Sequence, residues 1–228
     1  MFKTPVLIIN TKNYLESSGE RGINLAKSAE KVAKELGANI IIAPPTPLLY
    51  TISKSVSIPV YAEHVDISKV GSTTGFIVPE LVKDMGAVGS LINHSEHQLP
   101  IEIVAKTVEK LKLLGMETVV CAVDHNRTKT FAEMNPDAVA VEPPELIGSG
   151  IAVSKARPEV ITDSLNAVKA AKSKSKLICG AGIVTGEDVK KALELGAEGV
   201  LVASGIVKAA DPEAKIRELA EQLKKVWR

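Results

Sequence analysis

Three chemically different side chains sit just past the ends of short apolar runs. Lys12 follows "VLIIN", His94 follows "GSLIN" and Glu142 follows "AVAV". A carboxylate can take up a proton, an imidazole can donate to a polarised oxygen, and an ammonium supplies fixed positive charge. Two loops of small residues follow two later runs: "GAGI" at Gly180–Ile183 and "ASG" at Ala203–Gly205. Glycine in such loops lets main-chain N–H groups come close to an anion. Together these features suit acid–base chemistry on a small anionic molecule. Singly, each has an ordinary alternative. Lys12 could be a solvated loop lysine, His94 a structural imidazole, Glu142 a rim carboxylate paired with Lys12, and the Gly180 loop a tight turn.

What must position these groups is a repeating unit. Apolar, β-branched runs alternate with amphipathic stretches along the whole chain. The predicted strands are 6–9, 39–43, 59–62, 89–92, 118–122, 138–141, 176–179 and 199–202. They are apolar throughout instead of alternating, as expected of a parallel sheet covered on both faces. Between them lie helical patterns. Ile216, Leu219, Ala220 and Leu223 form one stripe behind an Asp211 cap, with Pro212 at the first helical position. Thr185 and Asp188 have the spacing of a capping box. A further stripe runs Ile101, Val104, Val108, Leu111. Glycines at 37, 86, 115 and 196 stand where helices should end, each shortly before a strand.

About eight βα units with no linker or composition break predict an α/β fold. The expectation is a closed (β/α)8 barrel, a single domain over residues 1–228, with the third and fifth outer helices short. An open doubly wound sheet is the rival, but no GxGxxG follows the first strand. In such a barrel the chemistry lies at the C-terminal ends of the strands. Lys12, His94 and Glu142 should therefore share one mouth.

Composition narrows the function classes. A net charge of +1 with interspersed Lys and Glu leaves no basic face for nucleic acid, and 3% aromatic residues leave no stacking platform. The apolar run near the N-terminus is too short for a signal peptide or a membrane span. Two cysteines, Cys121 and Cys179, sit inside apolar runs, as free thiols of a reducing cytoplasm would. His94, His97 and His125 lack metal-site spacing, so no metal is expected.

The segments "INTK", "NHSE", "AVEPPELIGSG", "CGAGI" and "VLVASG", in that order, span the chain. It resembles the triosephosphate isomerase family, and its short form is similar to the archaeal members. The resemblance implies an isomerase of glycolysis and gluconeogenesis that needs no cofactor. It would interconvert dihydroxyacetone phosphate and glyceraldehyde 3-phosphate through an enediol(ate). By position it makes Glu142 the base and His94 the electrophile, with Asn10 and Lys12 the catalytic and substrate-binding pair. Thr11, between them, is expected to bind the substrate as well. Ile147 and Gly148 match the lid that approaches the phosphate, and Gly182, Ala203 and Ser204 the phosphate loops. Ser95 and Glu96 support the site and should open a helix whose positive end faces His94.

Within "VEPPEL", Pro143 disfavours a helical conformation at Glu142 and braces the base. Gly148 and Gly150 leave the far side of that loop free to hinge. Several positions depart from the family pattern. His97 and Gln98 stand where many relatives carry an arginine that belongs to the pairing around the site. Gly182 replaces a serine, so its phosphate contact must be main-chain. Phe76 replaces an acidic residue just after "GSTTG", Gly71–Gly75, a loop that resembles one docking on a neighbouring subunit. Self-association to a homotetramer is expected, with a dimer as the alternative. Another phosphate-binding barrel enzyme, or an inactive barrel scaffold, are the competing readings. The first leaves Lys12, His94 and Glu142 unexplained together; the second predicts damage to one of them.

Overall fold

The chain is seen in a computed structural model that describes residues 2–148 and 150–225. Eight parallel strands run β1 Val6–Asn10, β2 Asn39–Ala43, β3 Tyr61–Ala62, β4 Gly89–Ile92, β5 Glu117–Ala122, β6 Ala138–Val141, β7 Lys176–Cys179 and β8 Gly199–Val202. Their order in the sheet is β2-β1-β8-β7-β6-β5-β4-β3. The two ends meet through a parallel bridge between Ile42 and Val60, so the sheet forms a nearly closed barrel. The (β/α)8 architecture expected from the apolar runs is present.

The helices that cover it are α1 Gly19–Leu36, α2 Leu49–Ser55, α3 Pro79–Asp84, α4 Ile101–Leu113, α5 His125–Ala132, α6 Val153–Ala156, α7 Pro158–Ala170, α8 Gly186–Glu194, α9 Ser204–Val207 and α10 Pro212–Lys225. The helices after β3 and β5 are short as expected, and α2 is equally short.

Continuous apolar strands arise because alternate residues serve two cores. Val6, Ile8, Ile41, Tyr61, Leu91, Cys121, Ala140, Ile178 and Leu201 fill the barrel interior. Leu7, Ile9, Ile40, Ile42, Val120, Val139, Leu177 and Val200 pack outward against the helices. Two interior positions need glycine for space. A Cβ at Gly89 would lie 2.6 Å from the Tyr61 ring, and one at Gly199 would lie 2.5 Å from the Val6 carbonyl.

Two predicted elements differ from those observed. The third strand begins at Tyr61, not residue 59. Pro59 has no N–H to donate to a ladder, and its carbonyl serves only Ile42. Residues 95–97 form a turn, and α4 starts only at Ile101. Pro100 pushes Leu99 out of the helical region, so no helix can run through it from Ser95. In the α4 stripe, Val104, Val108 and Leu111 are buried while Ile101 remains exposed.

The capping box forms as expected. Thr185 Oγ1 accepts from the Asp188 N–H, and Asp188 Oδ2 accepts from the Thr185 and Val184 N–H groups. Asp188 is buried and also takes an ion pair from Lys155 of α6 at 2.6 Å. One residue thus joins the loop after β7 to the segment that follows Glu142. Replacing Thr185 with Ala is expected to lower unfolding free energy by about 1 kcal/mol in urea titrations. A loss indistinguishable from zero would mean that the box contributes nothing to the fold.

Candidate active site

The ends of β1, β4, β6, β7 and β8 surround one mouth with two adjoining compartments. One, of about 540 Å³, is bounded by Glu142, Ile147, Gly148, Gly182, Ser204 and Lys208. The other, of about 470 Å³, is bounded by Asn10, Glu63, His64, His94 and His97. Lys12, Tyr14 and Glu96 border both.

Lys12 is held in an uncommon conformation. Its φ is 48°, a left-handed value that costs a non-glycine residue about 1–3 kcal/mol and persists only where the surroundings fix it. They do so here from two sides. Asn10 Oδ1 accepts the Lys12 N–H at 3.1 Å, and the buried Ser17 hydroxyl lies within bonding distance of the Thr11, Lys12 and Tyr14 carbonyls. The Lys12 ammonium pairs with Glu96 Oε1 at 2.6 Å, not with Glu142. The simple pairing of Lys12 with Glu142 is therefore not what the structure contains. Thr11 is buried, and its side chain borders neither compartment.

His94 is oriented by its own loop. Asn93, itself left-handed, donates to the Cys121 carbonyl at 3.0 Å and accepts from the Leu99 N–H at 2.8 Å. The Glu96 N–H donates to His94 Nδ1 at 3.2 Å. A ring nitrogen that accepts carries no proton, so a neutral ring has its proton on Nε2. The positive group facing the imidazole is one turn N–H, in place of the helix end expected from "SEH".

Glu142 extends the strand ladder with its N–H to the Ala122 carbonyl at 2.8 Å, and Pro143 follows at φ −56°. The carboxylate is 4% exposed. Its room comes from Gly180, where a Cβ would lie 2.3 Å from Glu142 Cγ and 2.6 Å from Oε1. Cys121 lies below it inside the barrel. Burial first, then the Glu142 charge, pushes the Cys121 thiol well above its ordinary range and keeps it neutral.

Among the described residues, five buried side-chain atoms lack a hydrogen-bond partner, and three belong to this mouth. They are His94 Nε2, Glu142 Oε2 and Glu63 Oε1. His94 Nε2 and Glu142 Oε2 are 3.7 Å apart, too far to satisfy each other. Native proteins rarely leave buried polar atoms unmatched, so a cluster of three singles this mouth out from the rest of the described residues.

The wider compartment has the features of an anion site. Among the described residues, no protein acceptor is found for the N–H of Gly182 or Ser204. Lys208 holds its ammonium over the Tyr14 ring, 4.4 Å from the centroid. Gly182 cannot be replaced by a residue with a side chain here. Its φ is 70°, and a Cβ would lie 1.9 Å from the Ile151 carbonyl oxygen. Gly148 and Gly150 also have positive φ, so the loop past the two prolines turns on glycines. Ser149 lies outside the described residues.

A family model described as triosephosphate isomerase matches residues 5–222. The chain belongs to the triosephosphate isomerase family. It is 52% identical to the triosephosphate isomerase of Methanocaldococcus jannaschii over 214 residues, 94% of this chain and 98% of that one. It is 52% identical to that of Caldivirga maquilingensis, covering 97% and 98% of the two chains. For Cenarchaeum symbiosum the figure is 49%, covering 98% of this chain and all of the relative. The resemblance carried by the five motifs thus extends over nearly the whole length of this family member.

The motifs found Lys12, His94 and Glu142, which converge as expected, and they place Ile147, Gly148, Gly182, Ala203 and Ser204 on one compartment. Sequence reasoning missed Gly180, Glu63, His64, Tyr14 and Lys208. Gly180 was visible inside "CGAGI", but its task depends on where Glu142 lies. A Gly182→Ala variant is expected to force apart the loops after β6 and β7. Thermal unfolding should report a loss of about 1–3 kcal/mol, and proteases should cut within 147–152 faster. Wild-type resistance to both would show that the two loops are not in register against each other.

Proposed function

We propose that the protein is a cofactor-independent isomerase that interconverts dihydroxyacetone phosphate and D-glyceraldehyde 3-phosphate. The observation that carries this reading is the pair of buried, unpartnered atoms, His94 Nε2 and Glu142 Oε2, 3.7 Å apart beside Lys12. Full-length similarity to proteins of that name supports it.

The chemistry follows from the geometry. Glu142, buried and with Oε2 unpartnered, removes a proton from one of the two adjacent carbons of the bound triose and returns it to the other. The carbonyl oxygen gains negative charge as the C–H bond breaks, and His94 Nε2–H donates to it. Lys12 adds positive charge beside that oxygen and toward the phosphate, with Asn10 fixing its main chain. The phosphate takes main-chain N–H groups from Gly182, Ala203 and Ser204, and from Ile147 and Gly148 when the loop covers it. Ser95 and Glu96 form the turn that aims His94. Thr11 serves by packing beneath the loop. Excluding water matters because an escaping enediolate would eliminate its phosphate.

Self-association, as a homotetramer or a dimer, also belongs to this proposal. Ile67, Val70 and Phe76 are exposed apolar residues on and beside one protruding loop, a surface that favours burial against another copy. Two buried free thiols suit a cytoplasmic setting. Sedimentation equilibrium measures the number of chains.

A coupled assay with glyceraldehyde 3-phosphate tests the activity. Glu142→Asp withdraws the base by one methylene, and Gly180→Ala pushes it aside from below. Each is expected to lower kcat by about a hundredfold or more while leaving the fold intact, because a displacement near 1 Å has that order of effect. Wild-type turnover in both variants would remove Glu142 as the base.

A further inference from the structure

Glu63, just past the end of β3, presents an oddity that the proposed chemistry does not use. It is a third carboxyl at the mouth, it borders the compartment shared by Asn10, Lys12 and His94, and its Oε1 is buried without a partner. The proton shuttle already has its base in Glu142, and the phosphate has its loops. A second buried carboxylate next to an anion site opposes binding unless it is neutral or paired.

We propose that Glu63 is a positioning residue for Lys12, and that its carboxyl lets neutral pH tune the grip of the site on anionic ligands. The inference rests on the proposed function for the class of ligand, a phosphorylated triose. Its physical basis is the compartment that Glu63 shares with Asn10 and Lys12, into which its Oε1 is buried without a partner. The Lys12 N–H that donates to Asn10 also lies toward the Glu63 carboxyl and favours its charged form. Glu63 thus shares a compartment with the residue pair that sets the left-handed turn beneath the Lys12 side chain.

Every charged or titratable group facing Glu63 bears on its state. From the loop after β1 come Lys12 and Tyr14, from the loop after β4 come His94, Glu96 and His97, and from its own loop comes His64. Lys12 is already engaged by Glu96 at 2.6 Å. His64 is turned away, bonding Asp66 at 3.1 Å and stacking on His97 with ring centroids 4.1 Å apart. Burial first, and then the Glu96 charge, raise the Glu63 carboxyl from 4.5 to about 7, against the opposing pull of the Lys12 N–H and ammonium. Below that point Glu63 is a neutral acid that can donate from Oε1 into the compartment. Above it, a second negative charge competes with the ligand for Lys12. The residues that follow Glu96, His97 and Gln98, leave no guanidinium in this turn to neutralise it.

The test is competitive inhibition by inorganic phosphate, from pH 5.5 to 9, in wild type and in Glu63→Gln. Phosphate ionises in this range too, so the informative quantity is the ratio of the two inhibition constants at each pH. Wild type should weaken relative to the variant by about fivefold or more between pH 6 and 8.5. A ratio constant with pH overturns the proposal, leaving Glu63 a packing residue. Linkage supplies a second measurement with a definite sign. The folded protein holds this proton more tightly than the unfolded chain, so stability falls as pH rises from 4.5 towards about 7 and then levels. The Tm advantage of Glu63→Gln should open over that window, and a gap independent of pH also overturns it. Should the variant fail to fold, carbon-13 NMR of the wild-type carboxyl decides, with a midpoint near 4.5 against the proposal. Wild type that binds phosphate but shows no isomerase turnover would defeat the proposed function alone. Turnover with parallel inhibition profiles would defeat only the role of Glu63.

Discussion

Everything at the mouth depends on one constraint, the parallel register of strands buried on both faces. A strand that is covered inside and outside must end before its first charged side chain, because a buried unpaired charge is far too costly. Ile9 pairs with Ile42 and Val202, and Val141 pairs with Cys179, so neighbouring strands stop at nearly one level. Lys12, Glu63, His94 and Glu142 are the first charged or titratable residues after four of these stops. The barrel therefore gathers them without any contact among them having to drive the folding. Closure through Ile42 and Val60 brings Glu63, after β3, beside Lys12, after β1, although these two strands stand far apart in the sheet order.

Given that placement, small residues decide the geometry. Gly180 leaves the volume that the Glu142 side chain fills, and Gly182 leaves the volume that the Ile151 carbonyl fills. The carboxylate is fixed by exclusion, since few hydrogen bonds reach it and Oε2 has none. This differs from the treatment of Asp188. That residue is equally buried, but Lys155 and three N–H or hydroxyl groups satisfy it and hold it below the usual carboxylate range in spite of burial. One buried acid is spent on fastening two loops together. The other keeps an unpartnered oxygen, as the role proposed for Glu142 requires. The difference lies in the partners, not in the depth.

The strands and the three principal side chains were legible because their signals are local. A doubly covered strand reads as an unbroken apolar run, and a residue at its end needs no distant information. The short third strand was over-read because Val60 and Tyr61 have strand character while Pro59 cannot join a ladder. The turn after His94 was misread as a helix because Ser and Glu look like a start, whereas Pro100 governs where α4 begins. Gly182 was legible as a departure from the family, but the reason for it, the approach of Ile151, is not written near it. Glu63, Tyr14 and Lys208 acquire their places only through space, across barrel closure and the 4.4 Å approach of Lys208 to the Tyr14 ring.

The charges at the rim set a further condition on ligand binding. Lys12 borders both compartments, and its ammonium pairs with Glu96 at 2.6 Å. Glu96 is solvent-exposed, so water can take over its charge at little cost once the ammonium moves. Glu142 has no such recourse, being 4% exposed. An arriving dianion can therefore draw Lys12 away from Glu96 more easily than it could from a buried carboxylate. The exposed pair keeps the Lys12 charge satisfied. A buried Lys12–Glu142 pair would have tied up both the base and the cation, and binding would then have had to break a strong contact before any chemistry began. The separation of these two residues at one rim is what leaves each available to the same substrate.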